Sequence, residues 1–314
     1  MLSMPVPITL LYVVVVLIAL TPGPVRAGAV DYSWGLDPDE FGYLSQADLA
    51  GCGLAGSGCG PAAAVNSFVY MQNTYRRTYG DSLVPTQPEP KTDFNNDGRI
   101  DRYDDWIYAA KMLAEPPYMK TCCGSSTLRN DFFYGKRRYI EDRVPGKTVY
   151  QAMDDPELNA LDPQGNFGGA DVEIVRSPPT PQFFSENLKS GEDIEVLITQ
   201  DDGVKLTFGH FVTLYALRWI DQDMSGNINA ADGMASLSYL DPSKAPSDQE
   251  QTRELRQRAD GRLFLIGANG QEYDIRFAVK ESPMDKNRAP APGTLILLIT
   301  GLGALAAAWA WRRS

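Results

Sequence analysis

Two apolar runs close the chain at its ends, and a patterned, polar-rich interior lies between them. Residues 8–20 carry no charge, and their length is that of a secretory signal's apolar region. Ala27, Gly28 and Ala29 supply small residues where a signal peptidase cuts, so residues 1–29 read as a signal peptide. No Lys or Arg precedes the run, which leaves an uncleaved amino-terminal anchor as the other reading. At the opposite end, residues 294–311 are uncharged, just long enough to span a bilayer as a helix, and closed by Arg312 and Arg313.

Between the termini the periodicity changes once. After Gly58-Cys59-Gly60-Pro61, the residues Val65, Phe68, Val69 and Gln72 recur at helical spacing with Pro61 in the first turn, which predicts a helix starting at Cys59. Trp106, Ile107, Ala110 and Leu113 predict another over 103–114. The second half alternates instead. Residues 194–198, 211–217 and 237–240 read as strands, and 263–267 with 273–279 read as a closing hairpin around Asn269-Gly270. Residues 243–262 are charged and helical in tendency, and 135–138 read as a solvated basic patch on a helix. Residues 85–90 form a Pro-rich connector, 161–170 a Gly-rich loop, and 281–292 a polar linker to the tail. Helices first and strands after predict an α+β fold over residues 30–288, taken as one elaborated domain.

Charge and rare residues narrow the chemistry. With 29 Lys and Arg against 40 Asp and Glu, the net charge of −11 gives no reason to expect nucleic acid as a partner; an Asp-rich surface suits extracellular life and divalent cations. The four cysteines, in an exported chain, meet an oxidising compartment. If Cys59 stays free, Cys52 is expected to bridge to Cys122 or Cys123, and spacing does not choose between them. The chain has a single histidine, His210, expected to open a strand, so a cysteine hydrolase built on it has only one available base. At a helix amino terminus, the dipole and free amides stabilise a thiolate and help place an oxyanion donor. A Gly-rich turn holding a buried or bridged cysteine is the competing reading. Asp241-Pro242 closes the next strand; if the two strands pair antiparallel, Asp241 lies at the same end as His210 and would orient the imidazole.

This ordered set resembles the papain-like cysteine peptidases of the C39-like group: Gln46 upstream, a Cys-Gly-Pro helix start, a Gly-His strand start and an Asp-Pro strand end, spread over residues 43–242. The resemblance implies a papain-like fold, its helical first half carrying the cysteine and its antiparallel sheet carrying histidine and aspartate. It also implies Cys59 as nucleophile, His210 as general base then acid, Asp241 as orienting residue and Gln46 as oxyanion donor beside the Cys59 amide. The partner implied is a peptide or protein substrate.

Residues 93–104 carry a second signal. Asp93, Asn95, Asp97, Asp101 and Asp104 stand at loop positions one, three, five, nine and twelve, with Gly98 at six and Ile100 at eight. This is EF-hand spacing and resembles the calcium loops of dockerin repeats, in which Arg99, at seven, would contribute its carbonyl. The pattern recurs over 221–232 with Asp221, Asp223, Ser225, Asn227, Asn229 and Asp232, Gly226 again at six and Ile228 at eight. Calcium is the expected cofactor, held more weakly in the second loop because Ser225 replaces a carboxylate. That loop connects the expected His210 and Asp241 strands, so a metal there is expected to stiffen the hairpin that presents both. An Asp/Asn-rich turn without metal is the alternative at each loop.

The tail, residues 289–314, resembles a PEP-CTERM sorting signal: Pro290-Ala291-Pro292, an apolar helix, then a basic end, with Ala291 in place of the usual glutamate. The resemblance implies a Gram-negative source, recognition by an exosortase-type transpeptidase, membrane attachment through the tail before processing, and a final place at the cell surface, in the outer membrane or outside the cell. A plain membrane anchor is the simpler alternative. A non-catalytic calcium-binding surface or matrix protein on the same scaffold would explain the loops and termini but leave Cys59 and His210 without a role.

Overall fold

The computed structural model describes residues 28–284, apart from positions 55, 122–125, 160, 162–168, 170 and 202–205. The signal region to residue 27, the sorting tail with its 294–311 helix, Cys122, Cys123, the side chain of Cys52 and most of the Gly-rich 161–170 segment lie outside the described residues.

The amino-terminal part is mainly helical: α1 (Cys59–Thr74), the single turn α2 (Arg76–Tyr79), α3 (Arg102–Ala114) and α4 (Arg129–Arg143), after two short strands, β1 (Val30–Asp31) and β2 (Trp34–Gly35). The rest is strand with one helix: β3 (Thr148–Asp154), β4 (Val172–Val175), α5 (Pro181–Lys189), β5 (Ile194–Asp201), β6 (Leu206–Arg218), β7 (Ile220–Asp221), β8 (Ala235–Leu240), β9 (Glu250–Gln257), β10 (Leu263–Ile266) and β11 (Glu272–Pro283). The fold is α+β. Strands run in the order β10-β9-β8-β6-β5-β11-β3-β4, and β10 also pairs with β11. That extra pairing joins Phe264 to Asp274 and Ile266 to Glu272, so β5, β6, β8, β9, β10 and β11 close into an antiparallel barrel.

Alternation along the strands then sorts side chains between two cores. Val196, Ile198, Val212, Leu214, Leu237, Tyr239, Leu255, Leu265 and Ile275 fill the barrel interior, and α5 adds Phe183, Phe184 and Leu188. Leu197, Phe211, Leu240, Phe277 and Val279 point outward into the helical core built on α1 and α4.

Four expectations are corrected. Helix α1 buries every residue from Cys59 to Gln72 rather than one stripe, because it lies between β6 and the other helices. Residues 250–257 form strand β9 instead of a helix; Gln251, Arg253 and Leu255 alternate with Glu250, Thr252 and Glu254, and pairing to β8 and β10 overrides the helical tendency of the charges. Glu281–Pro283 belongs to β11, paired with Thr148–Tyr150 of β3, and is no linker. Strand β6 begins at Leu206, so His210 stands within it.

The basic patch also divides. Arg138 is exposed and Arg137 half-buried beside Asp171, but Lys136 is 1% exposed and pairs with both Glu195 and Glu281. It follows Phe132 and precedes Ile140 by four residues, so it falls on the apolar face of α4. Its ammonium also donates to Ser67 Oγ at 3.1 Å, and Ser67 donates to Asp193. Burial and the Glu195 charge push the Asp193 carboxyl up to about 7, and burial together with Glu195 raises Glu281 well above the usual range.

Removing the ammonium leaves three buried carboxylates without a counterion. Lys136→Ala is expected to lower unfolding free energy by about 3–5 kcal/mol at pH 7 in urea melts. The loss should shrink toward pH 5, where Asp193 and Glu281 take up protons in the folded state; an equal loss at both values would contradict this account.

Candidate active site and paired acidic loops

Cys59 is a free, buried thiol in the first turn of α1. Gly58 closes the preceding turn by donating to the Leu54 carbonyl at 2.7 Å, and Pro61 follows with a backbone angle already suited to helix. Gly60 is required by close approach: a Cβ there would sit 2.6 Å from Thr127 Oγ1 and 2.8 Å from its Cβ. The first-turn amides have no intrahelical carbonyl to bond, and that of Gly60 donates to the sulfur, as does the Phe211 amide of β6.

Strand β6 crosses this helix end. Thr213 Oγ1 donates to the Ala63 carbonyl at 3.0 Å, and three residues earlier His210 reaches the thiol. On β8, Leu240 pairs with Thr213, which sets Asp241 diagonally across from His210; the His210 Nε2 to Asp241 Oδ1 distance is 2.7 Å. With Nε2 so engaged, Nδ1 is left for the sulfur. Cys59, His210 and Asp241 therefore form one hydrogen-bonded line.

Electrostatics reinforce the line. Burial alone would raise the thiol and lower the imidazole. Against it, hydrogen bonding and charge from His210 bring the Cys59 thiol below its ordinary value. Bonds from Asp241 and Cys59 lift His210 from 6.5 to about 9. Asp241, although largely buried, is held down to about 2 by His210 and Ser243. Together these shifts favour a thiolate–imidazolium pair beside an ionised Asp241.

Ser243 was not expected. Its backbone N–H and Oγ donate to Asp241 Oδ1 at 2.9 and 2.6 Å, and an Asx-type turn at Asp241-Pro242-Ser243 was the local signal for it. Asn66 and Gln249 were also missed. Asn66, on α1, accepts from Leu44 N–H at 2.7 Å and donates to Gln249 Oε1 at 3.3 Å, while Gln249 donates to the Tyr43 carbonyl at 3.0 Å. These bonds hold the 42–46 segment against helix and barrel. Gln46 starts a 3-10 turn there, Gln46–Cys52, and its N–H donates to the Pro242 carbonyl at 2.8 Å, one residue from Asp241. Its Oε1 is buried with no hydrogen-bond partner.

The acidic loops share a matching set of backbone-to-side-chain bonds. The first-position carboxylates, Asp93 and Asp221, accept from the glycine amide at position six at 2.9 and 2.8 Å. The last, Asp104 and Asp232, accept from position two at 2.7 and 2.8 Å and from position nine at 3.0 and 2.9 Å. Asn95 and Asp223 accept from the amides of Asp97 and Ser225, whose own oxygens accept from Arg99 and Asn227. Asp101 and Asn229 accept from Tyr103 and Ala231. Both loops have positive φ at positions four and six: Asn96 and Gly98, Met224 and Gly226. Their oxygens turn inward together: Asp93 Oδ1 is buried without a partner, and oxygens of Asp221, Asp223 and Asp232 lie within 4.8 Å of one another.

The two loops lead into different elements. The first ends in α3, capped by Asp101 and Asp104; the second runs into β8. The second joins the β6–β8 hairpin at the end away from His210 and Asp241, where Ile228 N–H donates to Gln257 Oε1 at 2.8 Å.

The chain matches no protein-family model and no curated protein sequence. Among the described residues, no helix is long and apolar enough to cross a membrane.

A thiolate held by one imidazolium should react before bulk thiols do. At pH 6 the iodoacetamide alkylation rate of Cys59 is expected to exceed that of the His210→Ala variant by at least about tenfold, because burial then outweighs the remaining amide bonds to the thiol. The raised His210 pKa contributes stability that is fully present below 6.5 and is lost as pH rises through about 9. Accordingly, the unfolding free energies of wild type and His210→Ala should converge over that interval.

Proposed function

We propose that the protein is a cysteine peptidase with a papain-like arrangement, in which a helix carrying the thiol abuts a barrel carrying the imidazole. One observation carries the reading: Cys59, His210 and Asp241, from three separate elements, share a continuous hydrogen-bonded line whose charges support one another. The Cys59 thiolate attacks a peptide carbonyl. The Gln46 side-chain amide and the Cys59 backbone amide are assigned to the oxyanion. His210 gives its proton to the leaving amine, then takes one from the water that hydrolyses the acyl-enzyme. Asp241 keeps the ring oriented and stabilises its charge throughout, with Ser243 holding the carboxylate.

The loops at 93–104 and 221–232 are assigned calcium. The donors are hard oxygens at the spacing such a loop needs: Asp93, Asn95, Asp97, the Arg99 carbonyl, Asp101 and Asp104 in the first, and Asp221, Asp223, Ser225, the Asn227 carbonyl, Asn229 and Asp232 in the second. The ion would neutralise carboxylates crowded into each loop. In the second it would brace the closed end of the hairpin whose open end presents His210 and Asp241. The terminal patterns support export and sorting by an exosortase-type enzyme.

A mechanism-based epoxide such as E-64 should add its mass to Cys59 in the wild type and not in Cys59→Ala; absence of the adduct at millimolar reagent would remove the peptidase reading. Gln46→Ala is expected to lower kcat by about 10²–10³-fold, the usual effect of deleting one oxyanion donor. Chelation should lower the melting temperature, and calcium at 100 times its Kd should restore about 2.7 kcal/mol per site. A melting curve indifferent to EDTA would refute the metal assignment and leave the thiol chemistry untouched.

A further inference from the structure

The barrel opens beside the dyad. A cavity of about 480 Å³ is walled by strand ends from around the barrel and includes His210, Asp241, Lys244 and Arg253 over an apolar floor of Ile198 and Leu265. Cys59 is not in its wall. Under the peptidase reading, on which this inference rests, the side of the thiol away from the imidazole receives the acyl portion. The imidazole protonates the departing amine, so a cavity bordered by His210 but not by Cys59 lies on the leaving-group side.

Its charge runs against that of the molecule. The net charge is −11, and most buried or half-buried arginines lie against carboxylates: Arg129 with Asp154, Arg137 with Asp171, Arg258 with Asp274 and Arg276 with Asp155. Arg253 differs. It points into the barrel mouth from β9, and its guanidinium bonds the Gln251 Oε1 at 2.7 Å, the Thr252 carbonyl at 3.1 Å and the Tyr239 hydroxyl. Among the described residues no carboxylate lies within ion-pair distance of it or of the exposed Lys244. The one acid in the wall, Asp241, is already engaged by His210 and Ser243.

We propose that this cavity binds a substrate carboxylate on the carboxy-terminal side of the scissile bond, through Arg253 and Lys244. An acidic side chain and the free carboxy terminus of a short peptide present the same group. Both cations are available for it, and Ile198 and Leu265 accept the aliphatic stem.

The test uses internally quenched peptides that differ only in Glu against Gln at each position after the scissile bond, and in free acid against amide at the carboxy terminus. The full-length protein should favour the carboxylate-bearing member by on the order of 10–100-fold in kcat/KM, the range of a charge-assisted hydrogen bond. A Glu/Gln preference identifies an acidic side chain, and an acid/amide preference identifies the terminus. In Lys244→Glu with Arg253→Glu the ratio should fall below one, a readout normalised within each variant and independent of how much of it folds. Equal rates for all pairs in a wild type that takes up E-64 at Cys59 would overturn the carboxylate site alone. Failure of Cys59 to react would remove the peptidase reading beneath it.

Discussion

Helix α1 is enclosed on every side from Cys59 to Gln72, and the rest of the molecule is arranged around that fact. A fully buried helix must satisfy all its side chains internally, and α1 does so with small apolar residues at Ala62, Ala63 and Ala64 and three polar ones that each fasten another element. Asn66 holds the segment leading to Gln46; Ser67 meets Asp193 and Lys136; Gln72 accepts from Val84. Because these anchors lie along its length, the first turn has no freedom to swing, and the Cys59 sulfur is delivered to one place beside β6.

The same low dielectric governs two sites of opposite consequence. Around Lys136, three carboxylates face one ammonium; the excess negative charge makes Asp193 and Glu281 hold their protons, and the cluster ties α4 to β5 and β11. At the dyad, one imidazole lies between the Cys59 sulfur and the Asp241 carboxylate. Burial alone would favour a neutral thiol and a neutral imidazole, but side by side with Asp241 each favours the other's charged form. One arrangement ties elements together; the other, under the proposed function, makes the thiol reactive.

The acidic loops belong to the two halves of the fold. The first organises the start of α3 within the helical part; the second closes the β6–β8 hairpin at its far end. Their matching bonds show that a twelve-residue pattern can impose its geometry whether it leads into a helix or a strand. The polar loop is thus an insertion whose internal hydrogen bonds, not its surroundings, set its shape.

Much of the site was legible because it depends on local grammar. A Gly-Cys-Gly-Pro start, one histidine, an Asp-Pro strand end and two repeated loops are visible along the chain, and the fold brings Cys59, His210 and Asp241 together. The sequence also determined that helices precede strands. Tertiary structure alone decided the pairing of β10 with β11 that closes the barrel, because strand partners are chosen by long-range hydrogen bonds that no local period encodes. It decided that Glu250–Gln257 is a strand, since two neighbours satisfy its backbone regardless of its charge pattern. It decided that Lys136 is buried, because only packing shows Glu195 and Glu281 waiting behind α4. Asn66, Gln249 and the carboxylate-poor barrel mouth escaped for the same reason: their meaning lies in partners brought near by the fold, not in their own chemistry.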